Sequence, residues 1–71
     1  MEILKHKKDG RFGTLEYSMF GGSVHWYDEN NVFCKSLGDR KENILSRWDI
    51  IDELPEGYEI GEWGGVKKIK Q

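Results

Sequence analysis

The chain has 71 residues, of which 37% are hydrophobic, 13% are aromatic and 34% are charged, with a formal net charge of -2. A chain of this length can close one hydrophobic core, so we predict a single domain over residues 1–71. The charge is unlike the strong positive excess of dedicated duplex-DNA binders, and one cysteine cannot form an internal disulfide. No apolar run approaches the roughly 18 residues of a membrane span, so we expect a cytoplasmic protein without membrane contact.

The first predicted element is a β-hairpin around Asp9 and Gly10. This pair is typical of a two-residue type I′ turn, and it separates two strand-like segments, residues 3–8 and 11–19. A two-residue turn would also set the register of the hairpin. That register pairs Lys8 with Arg11, His6 with Gly13 and Leu4 with Leu15.

Side chains of this hairpin should alternate between the two faces of the sheet. We expect the core face to hold the larger apolar set, which is Leu4, Leu15, Tyr17 and Met19. The opposite face then carries Phe12 between Lys5 and Lys7, with Ile3 beside them. An aromatic ring flanked by cations on an open sheet face is typical of platforms that bind single-stranded nucleic acid.

A second hairpin is predicted between residues 24–27 and 32–35, with the polar run 28–31 as its turn. An even-length turn places His25 and Cys34 on one face, whereas an odd turn with a bulge would separate them. The even turn also collects four apolar side chains on the other face. These are Val24, Trp26, Phe33 and Leu37.

An amphipathic helix is predicted next. Asp39 can cap its start, with Glu42 at the capping-box position. Pro55 disfavours the helical conformation at the preceding residue, so the helix should end by Leu54. The apolar stripe of this helix consists of Ile44, Leu45, Trp48 and Ile51.

A closing hairpin is predicted from residues 58–63 and 66–70 around Gly64 and Gly65. The resulting order is ββββ-α-ββ. We predict an α+β fold in which one amphipathic helix packs on one face of a curved antiparallel sheet. A small β-barrel is the alternative, with glycines at its corners.

Catalytic and metal-binding patterns are weak in this chain. A cysteine nucleophile needs a histidine and a third group that orients it, and no third residue accompanies Cys34 and His25. The cysteine and the two histidines lack metal-ligand spacing, and the glycine runs lack the residues that complete a phosphate loop. We therefore predict a protein that is not an enzyme and that holds no metal or cofactor.

Ile50 lies off the predicted helical stripe and close to Arg47. A large apolar side chain near solvent beside charged residues is typical of a protein-binding patch. Tyr58 and Trp63 add aromatic side chains of the kind that anchors protein partners. The sequence therefore predicts a partner-binding set of Phe12, Lys5, Lys7, Arg47, Ile50, Tyr58 and Trp63.

The chain matches no family motif from which a function can be transferred. Its size, aromatic content and lack of catalytic motifs make it similar, in a general way, to small orphan proteins of phages and mobile elements. Such proteins often bind and inhibit a larger host protein, so we predict a small protein-binding module with that role. The short edges of the predicted sheet also suit pairing with a second copy of the chain, so a homodimer is a further expectation. Two alternatives are a homo-oligomer that binds a small molecule, and a binder of single-stranded nucleic acid that uses Lys5, Lys7, Phe12, Lys68 and Lys70.

Overall fold

Seven strands and one short helix form within residues 2–69, the part of the chain that this computed structural model describes. The elements in chain order are β1 (Glu2–His6), β2 (Phe12–Ser18), β3 (Gly21–Tyr27), β4 (Phe33–Lys35), α1 (Lys41–Arg47), β5 (Trp48–Ile51), β6 (Tyr58–Ile60) and β7 (Val66–Lys68).

The strands make one curled, mixed sheet. Its order is β5-β1-β2-β3-β7-β6, and β4 pairs with β3. All these pairings are antiparallel except that of β3 with β7, which run parallel at Trp26 and Val66. The predicted α+β class and curved sheet are confirmed, whereas the predicted purely antiparallel pairing is wrong. The curl stops short of a closed barrel, because no pairing among the described strands joins β5 to β6.

The hydrophobic core lies between α1 and the sheet. Its five members are 0–4% exposed, and they are Leu4, Leu15, Val24, Ile44 and Trp48. Burial of Leu4 and Leu15 confirms the predicted core face of the first hairpin. The same prediction is wrong for Tyr17 and Met19, which are 56% and 90% exposed. Tyr17 lies near the end of β2, where the first residue of α1, Lys41, approaches its ring, and Met19 lies beyond the strand in the turn.

The first hairpin forms, but its register differs from the prediction by two residues. Leu4 lies opposite Gly13 rather than Leu15. Gly10 has a φ of 72°, whereas Asp9 keeps a negative φ and cannot complete a type I′ turn. The His6 side chain instead accepts hydrogen bonds from the backbone N–H groups that follow it, at 3.2 Å each, and a longer turn results. A shift of two residues preserves the faces, because side chains alternate with a period of two.

The turn between β3 and β4 is odd in length, so the predicted even turn is wrong. Residues 28–32 separate the strands, and the Asp28 carboxylate accepts two backbone N–H bonds within the turn, each 2.9 Å long. Cys34 consequently pairs with Trp26, and Phe33 pairs with Tyr27. His25 and Cys34 therefore point to opposite faces of the sheet.

The helix is shorter than predicted, because β5 replaces its second half. α1 ends at Arg47, and Trp48 adopts an extended backbone with φ of -127° and ψ of 142°. The next residues pair with β1 from Ile51 opposite Ile3 to Trp48 opposite His6. The predicted order ββββ-α-ββ thus lacks one strand, and no helix reaches Leu54.

Asp39 stabilises the start of α1, but it lies one residue before the N-cap position that the sequence predicted for it. The N-cap residue is Arg40, and the Asp39 carboxylate accepts hydrogen bonds from the Arg40 N–H at 2.8 Å and the Asn43 amide at 2.9 Å. Arg47 donates to the same carboxylate at 3.0 Å. The hydrogen bonds from Asn43 and Arg47 hold the pKa of Asp39 below its ordinary value of 3.8. Glu42 pairs with Arg40 at 3.7 Å instead of completing a capping box.

The closing hairpin forms, with Tyr58 opposite Lys68 and Ile60 opposite Val66, but its first strand ends at Ile60 and residues 61–65 make a longer turn than predicted. Lys70, at the predicted end of its second strand, lies outside the described residues. No helix within residues 2–69 has the length and apolar character that crossing a membrane requires.

Candidate functional site

Three residues of the predicted partner-binding set meet on one face of the sheet. The rings of Phe12 on β2 and Tyr58 on β6 pack edge to face, with centroids 4.7 Å apart. The Lys5 ammonium lies 5.8 Å from the centroid of the Phe12 ring. β1 and β6 are far apart in the chain, so only the curl of the sheet brings these side chains together.

Phe12 and Tyr58 border a groove of about 390 Å3, which we call the aromatic groove. The first hairpin turn, the β3–β4 turn and the β6–β7 hairpin enclose it. Its lining includes Phe12, Tyr27, Tyr58 and Lys68 together with the acidic residues Asp9, Asp28 and Glu29. The groove therefore combines aromatic walls with charges of both signs.

Two of the cations that line the groove, Lys67 and Arg11, have partners within the protein. Lys67 lies 5.7 Å from the Tyr27 ring centroid and 3.7 Å from the Glu59 carboxylate. Arg11 lies over Trp26 and Trp48, at 4.7 and 5.4 Å from their centroids. The Arg11 guanidinium is also 3.3 Å from Asp9. These contacts compensate the charges of Lys67 and Arg11.

Trp63 is exposed beyond this groove, on the loop between β6 and β7. Its side chain is 67% exposed, and its ring centroid lies 6.5 Å from that of Phe33. The loop lies against Tyr27, whose hydroxyl accepts a 3.4 Å hydrogen bond from the Trp63 N–H. Gly61 permits this approach, because a Cβ there would lie 2.6 Å from the Tyr27 hydroxyl oxygen.

The other three predicted residues lie along the β1–β5 side of the sheet. The Lys7 N–H donates to the Arg47 carbonyl at 2.9 Å, and the Lys7 ammonium lies 3.7 Å from Asp49. Ile50 is 48% exposed and lies opposite Leu4. Its placement on an off-stripe position of a helix is wrong, because Ile50 belongs to a strand. The predicted set thus divides among separate surfaces.

A more exposed apolar surface lies at the end of the sheet where β2 turns into β3. Met19 and Phe20 in this turn are 90% and 80% exposed, and Leu37, after β4, is 90% exposed. We call these three side chains the apolar tip. The two loops are neighbours, because a Cβ at Gly38 would lie 2.9 Å from the Phe20 carbonyl oxygen.

Hydrogen bonds hold the apolar tip in place. The Phe20 N–H donates to the Ser18 hydroxyl at 3.2 Å. Gly22 and Asp39 exchange two backbone hydrogen bonds of 2.8 Å, which join the turn to the segment that carries Leu37. Gly21 has a φ of 105°, a conformation that favours glycine. The tip is therefore built into the fold.

Sequence reasoning missed the apolar tip. Strand alternation extended through Met19 assigns it to the core face, and an even β3–β4 turn groups Leu37 on one face with Val24 and Trp26. The available signal was the pair of glycines directly after Phe20, because glycine pairs favour a turn and turns lie at the surface.

Charges around the apolar tip are matched by opposite charges. Arg40 lies 3.7 Å from Glu42, and Lys41 lies 4.0 Å from Glu2. Lys41 also lies 5.8 Å from the ring centroid of Tyr17, which is at the end of β2. The apolar tip is thus flanked by paired charges, and neither positive nor negative charge is in strong excess beside it.

The sheet register separates the Cys34 and His25 side chains. The Cys34 thiol donates to the Val32 carbonyl at 3.5 Å, on the face away from His25. His25 Nε2 lies 3.3 Å from the Ser23 hydroxyl, and its Nδ1 is buried beside the backbone of the β6–β7 loop. Burial, followed by the charge of Lys35, lowers the pKa of His25 from 6.5.

No group of three or more histidine, cysteine or acidic residues within residues 2–69 is arranged to hold a metal ion. Comparison with protein-family models, with curated proteins and with solved structures gave no match for this chain.

Proposed function

We propose that this chain is a small, non-enzymatic module that binds another protein through its apolar tip. The observation that carries the proposal is the 80–90% exposure of Met19, Phe20 and Leu37. Single exposed apolar residues are ordinary on protein surfaces. Three large ones on adjoining loops form a patch of the kind that marks an interaction site.

The energetics favour a protein partner with an apolar pocket. Full burial of one side chain such as Phe20 or Leu37 contributes about 1.5–3 kcal/mol to the binding free energy. The turn at Phe20 and the Gly22–Asp39 contact already order the backbone. Binding therefore loses little backbone entropy, which raises the affinity available from a small surface.

Lipid and nucleic acid fit this surface less well. Stable attachment to an anionic membrane needs a basic cluster beside the apolar residues, and nucleic acid needs cations that can release counterions from phosphates. Arg40 and Lys41 are each within 4.0 Å of an acidic side chain. A protein pocket requires no such excess of positive charge.

Affinity capture from the source cells, followed by binding of the identified protein in purified form, tests the proposal. We expect Phe20→Ser and Leu37→Ser each to weaken binding by about tenfold or more, as loss of a central anchor does. The matched control is Val32→Ser, because Val32 is an apolar residue that is 55% exposed on a different turn. Urea midpoints equal to that of the wild type would show that the tip variants remain folded.

Two outcomes would contradict the proposal. One is a partner that binds the tip variants as tightly as it binds the wild type. The other is binding to phosphatidylcholine–phosphatidylglycerol vesicles that Phe20→Ser abolishes, which would assign the tip to lipid.

Phe12→Ala, tested in parallel, reports on the aromatic groove and on the partner-binding set predicted from sequence. Inhibition of a larger host protein remains a prediction that the purified partner's activity would test.

Binding of single-stranded nucleic acid is the second candidate, and one observation favours it. Phe12, Tyr58, Lys5 and Lys68 adjoin the same face of the sheet. Against it, Asp28 and Glu29 line the same groove. Salt-sensitive anisotropy changes with short oligonucleotides, weakened by Lys68→Ala, would favour this function over protein binding.

A further inference from the structure

β5 is an edge strand, and its outer side has no partner among the described strands. Exposed strand edges present unpaired backbone groups that can pair with another strand. β5 also carries Ile50, a β-branched residue that is 48% exposed. These features make this edge a candidate interaction surface that is distinct from the apolar tip.

The hydrogen-bond pattern identifies which backbone groups face outward. The Lys7 N–H donates to the Arg47 carbonyl, so this carbonyl points toward β1. Backbone groups alternate in direction along a strand, and therefore those of Trp48 and Ile50 point away from β1. The Trp48 N–H is already used by the Ile44 carbonyl at the end of α1. The Trp48 carbonyl and both backbone groups of Ile50 are left at the outer edge.

The pairing of β1 with β2 agrees with this assignment. The His6 N–H donates to the Arg11 carbonyl at 2.7 Å, so His6 points toward β2. Lys7, the next residue, must then point toward β5. The hydrogen bonds of β1 to β2 and to β5 therefore indicate the same alternating direction of its backbone groups.

We propose that a second copy of this chain pairs with β5 in antiparallel fashion, across a twofold axis centred on Ile50. In this register the N–H and carbonyl of each Ile50 bond to those of the other, which satisfies the outward-facing groups of Ile50. A twofold axis perpendicular to the sheet keeps each face continuous across the two copies, and it brings the two half-exposed Ile50 side chains together.

Charge at the two ends of β5 selects this register. Arg47 directly precedes the strand, and the acidic residues Asp52 and Glu53 follow it. Arg47 is the last residue of α1 and Glu53 lies in a bend after β5. Pairing centred on Ile50 brings the Arg47 end of each strand near the acidic end of the other, so the attraction between opposite charges occurs twice. Pairing centred on Asp49 would place two carboxylates opposite each other, which is unfavourable. Arg47 is 54% exposed beside its Asp39 contact, and its five N–H donors allow a second partner.

The contact is short, so we expect a weak dimer. β5 has four residues, and an interface of this length falls below the size of stable protein–protein interfaces. Dimerisation should therefore depend on concentration in the micromolar to millimolar range. It is independent of the proposed function, because it uses backbone groups of β5 and none of the apolar tip.

Sedimentation velocity over about 10 μM to 1 mM tests the dimer. We expect Ile50→Lys to raise the dimer dissociation constant by about tenfold or more, because two ammonium groups would meet on the axis. The matched control is Ile60→Lys, since Ile60 is 39% exposed on β6 at the other edge of the sheet. Phe20→Ser should leave dimerisation unchanged, which separates this result from a test of the tip.

A second pair of variants tests the charge contact without altering β5. Glu53→Lys should weaken the dimer several-fold, whereas Glu56→Lys, with the same change of charge farther along the chain, should not. Both positions are exposed, so folding should survive even if Ile50→Lys fails to fold. A wild type that stays monomeric throughout this range, or a dimer equally stable in Ile50→Lys and Glu53→Lys, would overturn the proposal.

Discussion

At the scale of single residues, Thr14 connects the middle of the sheet to the loop that precedes β7. Its side chain is fully buried, and its hydroxyl donates a hydrogen bond to the carbonyl of Gly64. Valine has nearly the same shape but cannot donate. Thr14→Val would therefore remove the donor of a half-buried hydrogen bond, and we expect it to lower the free energy of unfolding by about 1 kcal/mol.

Equilibrium urea unfolding, followed by tryptophan fluorescence, measures the effect of Thr14→Val. Thr14→Ser is the control, because serine retains the donor and loses only a methyl group. A larger loss in the serine variant than in the valine variant would show that packing, rather than the hydrogen bond to Gly64, makes this position important.

At the scale of elements, α1 depends on its contact with the sheet. A helix of seven residues is not stable alone in water, and Ile44 is its buried residue. We expect Ile44→Ala to lower the free energy of unfolding by about 2–5 kcal/mol, as loss of a buried isoleucine does. Ile50→Ala is the matched control, since Ile50 is half-exposed and its truncation should lower the free energy of unfolding much less. Equal losses in urea unfolding would contradict the assignment of Ile44 to the core.

The same region shows why the elements were only partly predictable. Ile44, Trp48 and Ile51 fit a helical stripe, and Trp48 is buried in either conformation. The pattern alone therefore could not reveal that the chain becomes extended at Trp48, where pairing with β1 competes with the helix. The first hairpin was predictable in its faces because alternation is local. Its register depended on the His6 side chain, which binds the turn.

The candidate surfaces were harder to predict than the core. Phe12 and Lys5 are close in a hairpin, but the approach of Tyr58 depends on the curl of the sheet and on the parallel contact of β3 with β7. The apolar tip depended on where β2 ends. If β2 were one residue longer, Met19 would lie on its core face by alternation. The sequence pattern does not show where β2 ends or how far α1 covers the sheet.

At the scale of the whole molecule, His25 links the stability of the fold to pH. Burial and the nearby Lys35 lower its pKa from 6.5 in the folded state, while Glu16 acts in the opposite direction. The unfolded chain consequently binds a proton more readily than the folded one. The stabilisation from neutral His25 is fully present above pH 6.5 and is lost as the pH falls through the lower, folded pKa.

We therefore expect the urea midpoint to fall between about pH 7.5 and pH 5.5, and His25→Gln to reduce that fall. Lys35→Met should reduce it as well, because it removes a positive charge that opposes protonation. A fall that is unchanged in both variants would assign the pH dependence to other groups.

The length of β2 has a consequence for how the two candidate surfaces relate. The aromatic groove adjoins its first residue, Phe12, and the apolar tip follows its last, Ser18. Seven strand residues span about 23 Å, in a molecule whose longest extent is 36 Å. Substitutions that far apart, without shared neighbours, should act additively on the free energy of unfolding. An occupant at one end also leaves the other accessible, so that a single copy has the dimensions to bridge two partners.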